Sequence, residues 1–399
     1  MNILPAQREY IHQHFFQMKD KQDLLSLLNV VKGILFGEKA EEIQFRQLNF
    51  YLLGESKAKS YRRFEIKKKM GGMRVIYAPN QGLKVIQRCL ALIFAEVFPV
   101  SDSATGFVKG KSVVDNASYH LQQHYVFNLD LKDFFPSIDQ ARIWGRLQQA
   151  PFCFDRATDR LILANVLAKL CCFELEVERG GESGKIVRVM RNVLPQGAPT
   201  SPILSNLICE RLDRRLVGVA KRFGARYSRY ADDLTFSSLH NLYQSGSKFM
   251  LEVERVIAEQ NFVINSKKTR VQGKGYRQEV TGLVVNEKVN VLKSYIKSLR
   301  QWLYLWEQYG AEKAGGLFKS QYRKVKDAAE TTVPEMERVL KGKLDYLGMV
   351  KGKGDGTYQK LVLRFERLLP RQNAVTAILD IWEKEGIEQA MKKYYEQSA

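Results

Sequence analysis

At 399 residues the chain exceeds one average domain, yet it also fits a single enzyme of closely packed subdomains. Hydrophobic residues make up 45% and aromatic residues 11%, and no long low-complexity segment interrupts them, which excludes a disordered chain. Lys and Arg number 63 against 43 Asp and Glu, a formal charge of +20. That excess points to a polyanionic partner. With no apolar run of spanning length and no lipidation motif, the expected polyanion is nucleic acid and no membrane is involved.

In chain order, residues 1–60 read as a helical N-terminal region, with Leu24, Leu25, Leu28 and Val31 at helical spacing and no recognisable chemistry. Met1 to Gln17 has no charged segment followed by an apolar one and a cleavage site, so the expected location is the cytoplasm. Residues 61–78 predict two short strands around a glycine turn: Phe64-Glu65-Ile66, the run Lys67-Lys68-Lys69, Gly71-Gly72, then Arg74-Val75-Ile76-Tyr77. A helix is predicted from about Gly82 to Phe98. The loop Thr105 to Ser112 follows, its two glycines and two lysines suiting either close approach to phosphate or a solvated turn.

Strand-like segments at 126–139 and 225–238 carry the acidic residues, and a helix starting near Pro202 separates them. From about Asn290 the chain is helical and basic, broken by a loop at Gly352 to Thr357. Cys89, Cys153, Cys171, Cys172 and Cys209 are odd in number and form no CxxC pair, so buried thiols are expected rather than disulfides or a zinc site.

The chemistry lies in two acidic segments. Tyr125-Val-Phe-Asn-Leu-Asp130 is an apolar strand ending in a carboxylate, which alone would read as an Asp capping the next helix. Arg226 to Phe236 is two alternating runs joined at Asp232-Asp233, a hairpin whose acidic pair alone would read as a solvated turn. Together, three carboxylates from two strands can bind two hard divalent ions about 3.5–4 Å apart, as phosphoryl-transfer polymerases require. Oxygen-only ligands favour Mg²⁺, with Mn²⁺ a substitute.

Here the sequence resembles the reverse transcriptases. Tyr230-Ala231-Asp232-Asp233 looks like their YxDD box, and Asp130 with Phe135 looks like the preceding Asp and aromatic. Leu194-Pro-Gln196-Gly197-Ala-Pro-Thr-Ser-Pro202 with Ser205-Asn206 looks like the LPQGxxxSP box. The resemblance covers about residues 60–290 and implies an α+β right-hand polymerase: fingers and palm at 61–289 with an antiparallel palm sheet, and a helical basic thumb and tail at 290–399. It implies Asp130, Asp232 and Asp233 as catalytic metal ligands and Phe135 beneath the sugar, selecting dNTPs. Gln196 and Gly197 would contact the nucleotide, and Arg74 with Lys67 or Lys69 would hold its triphosphate. Asn265-Ser-Lys267-Lys268-Thr269 resembles the next motif, leaving open which lysine meets the leaving pyrophosphate.

Asn116-Ala117-Ser-Tyr-His120 resembles the NAxxH motif of bacterial retron reverse transcriptases, and Val280-Thr281-Gly282 their VTG triplet. Alone, His120 would read as a helix-surface histidine and Val-Thr-Gly as a strand end. The retron resemblance implies a structured noncoding RNA partner, priming from an RNA 2′-hydroxyl, a branched RNA-DNA product (msDNA) and antiphage defence with an effector protein in trans. Duplex RNA is read by shape, phosphates and 2′-hydroxyls, which suits a basic helical surface, while Tyr304, Trp306, Tyr309 and Tyr346 are either stacking platforms or core. Two readings compete: a group II intron-like or stand-alone defence reverse transcriptase, and an RNA-binding scaffold without catalysis. The first usually carries an endonuclease or DNA-binding extension that is not visible here; the second is opposed by the intact Asp130, Asp232, Asp233, Gln196 and Phe135 set.

Overall fold

Apolar residues at helical spacing bury one face of each N-terminal helix, Pro5–Gln17 and Lys21–Phe36, through Ile11, Phe15, Leu24, Leu28 and Val31. Asp20 caps the second by accepting from the backbone of Gln22 and Asp23. These helices pack on helix Gln81–Val97 and share one core with the rest of the first unit; Phe15 meets Phe94 and Phe152 edge to face. Residues 5–36 are thus a buttress for the helix that follows the first hairpin.

The computed structural model describes residues 3–37, 39–53, 59–67, 71–180, 186–326, 333–369, 381–383 and 386–398. The chain divides into two compact units, Met1–Val289 and Asn290–Ala399. Among the described residues no helix is long and apolar enough to cross a membrane.

In the first unit, β1 (Tyr61–Lys67) and β2 (Met73–Pro79) form the expected antiparallel hairpin, with Ile66 opposite Arg74. The central sheet has the order β6-β7-β3-β8 and is antiparallel throughout: β3 is Tyr125–Asp130, β6 Arg226–Tyr230, β7 Asp233–Ser238 and β8 Arg270–Gly273. Phe127, Leu129, Leu234 and Phe236 anchor it in the core. The helix expected near Pro202 is Ser201–Arg222, with the proline in its first turn, where a missing N–H costs nothing.

A hairpin that the sequence reading does not place, β4 (Phe173–Gly180) with β5 (Ile186–Val193), packs Leu175, Val177 and Val193 against Tyr77 and Phe173. The short pair β9 (Glu279–Val280) and β10 (Leu283–Val284) closes the unit. Cys89, Cys171, Cys172 and Cys209 are buried, as expected, whereas Cys153 is only half-buried.

The second unit is helical: Lys293–Lys326, Met336–Lys351, Gly356–Leu368 and Ile387–Ser398. Gly310, at φ 74°, breaks the first of these, an interruption that its sequence pattern does not announce. The expected loop at Gly352 to Thr357 is shorter than read, because Asp355 caps a helix beginning at Gly356. Trp306 is core, packed edge to face on Phe365, whereas Tyr304 and Tyr309 are more than half exposed. Tyr346 lies 5.5 Å from the ring of Tyr295.

Candidate active site

Strand register assembles the acidic cluster. Asp130 closes β3 and sits directly opposite Asp233, which opens β7, so both side chains leave the same face of the sheet. Asp232 occupies the β6–β7 turn, and its carbonyl accepts from the Leu131 amide at 3.0 Å, tying the turn to the end of β3. Three carboxylates separated by a hundred residues of chain are thereby brought to one sheet end.

Their electrostatics are those of crowded anions. Burial first, then the charges of Asp232 and Asp130, push Asp233 up to about 6; burial and Asp130 likewise raise Asp232. Asp130 is buried, its Oδ1 accepting from Lys268 Nζ at 2.7 Å and its Oδ2 from Asn265 Nδ2 at 2.9 Å. The Asn265 amide also donates to the Asp130 carbonyl at 2.8 Å. The turn Ser266–Lys268 thus aims Lys268, and not Lys267, at the cluster, which separates the two lysines that the sequence leaves open. Asn265 belongs to that motif without a role assigned from sequence; its hydrogen bonds to Asp130 are visible only in three dimensions.

Among the described residues, no three His, Cys, Asp or Glu side chains are arranged so that they alone could hold a metal ion. Mg²⁺ needs no such group, since one or two carboxylates hold it while water and substrate phosphates complete its shell. The donor set is all oxygen, and crowding of like charge is what a hard cation relieves, so the residues fit a divalent ion.

Arg74 is exposed on β2 and close enough to favour the charged form of Asp232. Lys67 ends β1; Lys68 and Lys69 lie outside the described residues. The Gln196 carbonyl accepts from the Tyr77 amide at 2.8 Å, joining the Leu194–Pro202 segment to β2. Gly197, at φ +125°, presses so closely on β2 that a Cβ would lie 2.8 Å from both Ile76 Cγ2 and the Tyr77 carbonyl oxygen. Gly197→Ala is expected to lower stability by about 2–4 kcal/mol from combined backbone strain and overpacking, read as a fall in the thermal unfolding midpoint.

Phe135 is half-buried, 6.1 Å from Phe107, which sequence reasoning misses as a site candidate although its glycine- and lysine-rich loop stands out. Phe107 is 44% exposed. Gly106 places it: a Cβ there would stand 2.5 Å from the Ala231 nitrogen, so only glycine lets this loop lie against the acidic turn.

The NAxxH and VTG segments meet. The Thr281 hydroxyl donates to the Val113 carbonyl at 3.4 Å, at the start of the short helix Val113–Ser118 that carries Asn116 and Ala117. Val280 is buried and pairs with Leu283, leaving Thr281 and Gly282 as the two-residue turn at φ 48° and 80°. Asn116, Ala117 and His120 are fully buried, so the surface alternative for His120 is corrected. Its ring bridges β6 and β7, with Nε2 2.7 Å from the Ser228 hydroxyl and Nδ1 2.7 Å from that of Ser237; Ser228 donates in turn to Asn116 Oδ1.

Burial lowers the His120 pKa to about 3. A folded value below the unfolded one means stability is present above about 6.5 and is lost as pH falls towards 3, at up to about 1.4 kcal/mol per pH unit. His120→Ala should flatten this acid limb in urea titrations at successive pH values. It should also destabilise at neutral pH by about 1–3 kcal/mol through the stranded Ser237 hydroxyl, since Ser228 keeps its bond to Asn116.

Comparison with known proteins agrees with the geometry. Residues 66–304 match the family described as reverse transcriptase (RNA-dependent DNA polymerase). The chain is 33% identical over 305 residues to the retron Mx65 reverse transcriptase of Myxococcus xanthus, covering 76% of this chain and 66% of that one. It is 38% identical over 239 residues to the retron Mx162 enzyme of the same organism, covering 57% and 48%. Against the retron Ec86 reverse transcriptase of Escherichia coli it is 36% identical over 246 residues, covering 60% and 68%. The chain thus spans about half to two thirds of the length of these relatives. It belongs to the reverse transcriptase family and, within that family, to the retron branch.

Proposed function

We propose that this chain is an RNA-directed DNA polymerase that copies part of a cognate structured noncoding RNA. The observation that carries the reading is the register of Asp130 opposite Asp233, with Asp232 in the adjoining turn. In this reading β1–β2 belongs to the fingers, the four-stranded sheet is the palm and residues 290–399 form a thumb and tail.

Asp130, Asp232 and Asp233 would hold two divalent cations, Mg²⁺ or Mn²⁺, which when bound supply activation of the primer hydroxyl and stabilisation of the leaving pyrophosphate. Lys268, 2.7 Å from Asp130, would meet that pyrophosphate. Arg74 and Lys67 would hold the triphosphate of the dNTP, and Gln196 and Gly197 its base and sugar, while the Phe135 ring rejects a 2′-hydroxyl. Synthesis would be primed from an RNA 2′-hydroxyl and give a branched RNA-DNA product (msDNA), in antiphage defence through a separate effector protein; similarity to retron reverse transcriptases supports this reading. Asn116, Ala117, His120, Val280, Thr281 and Gly282 would serve RNA recognition from within, by shaping the surface above them, because most of their side chains are buried or half-buried.

The test is to purify the protein with its bound nucleic acid, debranch it and sequence it. One short cDNA joined 2′,5′ to a defined RNA is the expected result. Unbranched or heterogeneous cDNA would keep the polymerase and sink the branched product, and RNA without DNA would favour a non-catalytic scaffold.

A further inference from the structure

Behind the acidic turn lies a buried ion pair that none of the catalytic motifs explains. Arg229 and Asp213 are both fully enclosed, and Arg229 is the one buried Lys or Arg among the described residues. The guanidinium donates from Nε to Asp213 Oδ1 at 2.8 Å and from Nη2 to Oδ2 at 2.7 Å, a bidentate fork. Its remaining nitrogen, Nη1, donates to Asn206 Oδ1 at 3.0 Å and to the Ala231 carbonyl at 3.2 Å. Asn206 in turn donates to the Gly106 carbonyl at 3.0 Å, and Tyr227 donates to Asp213 at 2.9 Å.

Ala231 is the residue this lattice touches in the acidic turn. Its φ of +57° is left-handed, a conformation that costs a non-glycine residue energy and persists only where the surroundings impose it. The main chain of Arg229 is itself pinned, its carbonyl accepting from Thr105 and its amide donating to Ser103, both at 2.8 Å. The guanidinium therefore sits on a fixed strand and reaches two residues ahead to hold the strained carbonyl immediately before Asp232. Buried charge pairs are weak sources of net stability, and their better-attested use is to select one arrangement over its competitors.

We infer that Arg229, braced by Asp213 and Asn206, is a positioning residue that holds the left-handed turn at Ala231 and thereby sets Asp232 and Asp233 for cation binding. The inference rests on the metal-binding reading above. It also couples three segments: the helix after the Leu194–Pro202 segment, the loop carrying Phe107 and the acidic hairpin all end on this one lattice.

Direct Mn²⁺ binding, followed by electron paramagnetic resonance on the full-length protein, tests it. The parent binds Mn²⁺, and the double variant Asp232→Asn with Asp233→Asn does not; a parent that binds none overturns the metal reading itself and is distinguishable on that ground. Arg229→Lys keeps a cation beside Asp213 but loses the fork and the reach to Ala231. It should raise the Mn²⁺ Kd on the order of tenfold, since losing a group that orients a metal ligand typically costs about 10–100-fold in metal affinity, with RNA affinity unchanged.

Adding Ala231→Gly, which takes a left-handed turn without strain, should recover at least half of the lost affinity, which a purely structural Arg229 would not allow. Affinity that is lost but not recovered overturns the positioning role, as does an unchanged Mn²⁺ Kd in folded Arg229→Lys. Should Arg229→Lys fail to fold, Asn206→Ala, which leaves the ion pair whole, is expected to raise the Mn²⁺ Kd in the same direction, and an unchanged value there overturns the inference.

Discussion

Replacing Asp232 and Asp233 together by Asn is expected to lower DNA synthesis by about a thousandfold or more, because metal stabilisation of the transition state is worth several kcal/mol and each 1.36 kcal/mol is a factor of ten. RNA affinity should stay within a few-fold of the parent, as the change removes two charges from one sheet end in a chain of net +20. Primer extension and filter binding on the same preparations measure both. Appreciable residual synthesis would remove this cluster from the chemistry.

Stability supplies the control. Asp233 titrates near 6 and Asp232 is also raised, both by burial first and then by neighbouring carboxylates. A folded pKa above the unfolded one near 3.8 means that the ionised cluster destabilises the fold, and that stability falls as pH rises from about 4 to about 6. Neutral amides remove this penalty, so in buffer free of divalent ions the double variant should melt no lower than the parent at pH 7. Although crowded and desolvated at the sheet end, Asp233 keeps part of its surface in solvent, and screening there keeps the gain small. Lost synthesis with an undiminished midpoint separates chemistry from folding.

Legibility follows the range of the interaction. β3 and the β6–β7 hairpin are readable because their apolar alternation and the carboxylates at their ends are local, and the reverse transcriptase and retron motifs occur in order along the chain. The β4–β5 hairpin is less so: β4 does alternate apolar residues with Glu, but β5 keeps no such alternation and most of it faces solvent. Its inward side chains pack against Tyr77, a residue about a hundred positions earlier.

Burial is the other hidden quantity. His120 reads as a surface residue until β6 and β7 fold against it and supply Ser228 and Ser237. Arg229 is one of 63 Lys and Arg residues in the sequence, and nothing local marks it as the one that Asp213, on another element, meets in the interior. The choice of Lys268 over Lys267 needs the turn at Ser266–Lys268, which decides which ammonium points back to Asp130. Trp306, in contrast, groups with Tyr304 by composition, and only helix phase separates them: Leu299, Trp302, Leu303 and Trp306 are buried while Tyr304 faces out.

That same phase gives the second large effect, the salt dependence of RNA binding. On helix Lys293–Lys326, Lys293, Lys297, Arg300 and Tyr304 follow one another at spacings of four, three and four, and all are exposed or half-exposed. Three cations and an aromatic on one stripe match what phosphate binding and base stacking require, and the apolar face behind them keeps the stripe rigid. If six or more phosphates are neutralised across the protein, affinity should fall on the order of 10³-fold or more between 50 and 200 mM salt. Changing Lys293, Lys297 and Arg300 together to Gln should lower the slope of log K against log salt by about three, roughly one for each phosphate no longer neutralised. The slopes come from fluorescence anisotropy with a labelled structured RNA. A parent that binds equally well at both salt concentrations would mean that its charge does not act through phosphate neutralisation. A triple variant with the parental slope would instead clear this helix face of RNA and shift binding to basic residues elsewhere, such as Arg62 and Arg63 on β1. The two results are separable because the parent slope reflects every phosphate the protein neutralises, whereas the difference between parent and variant reflects only those met by this face.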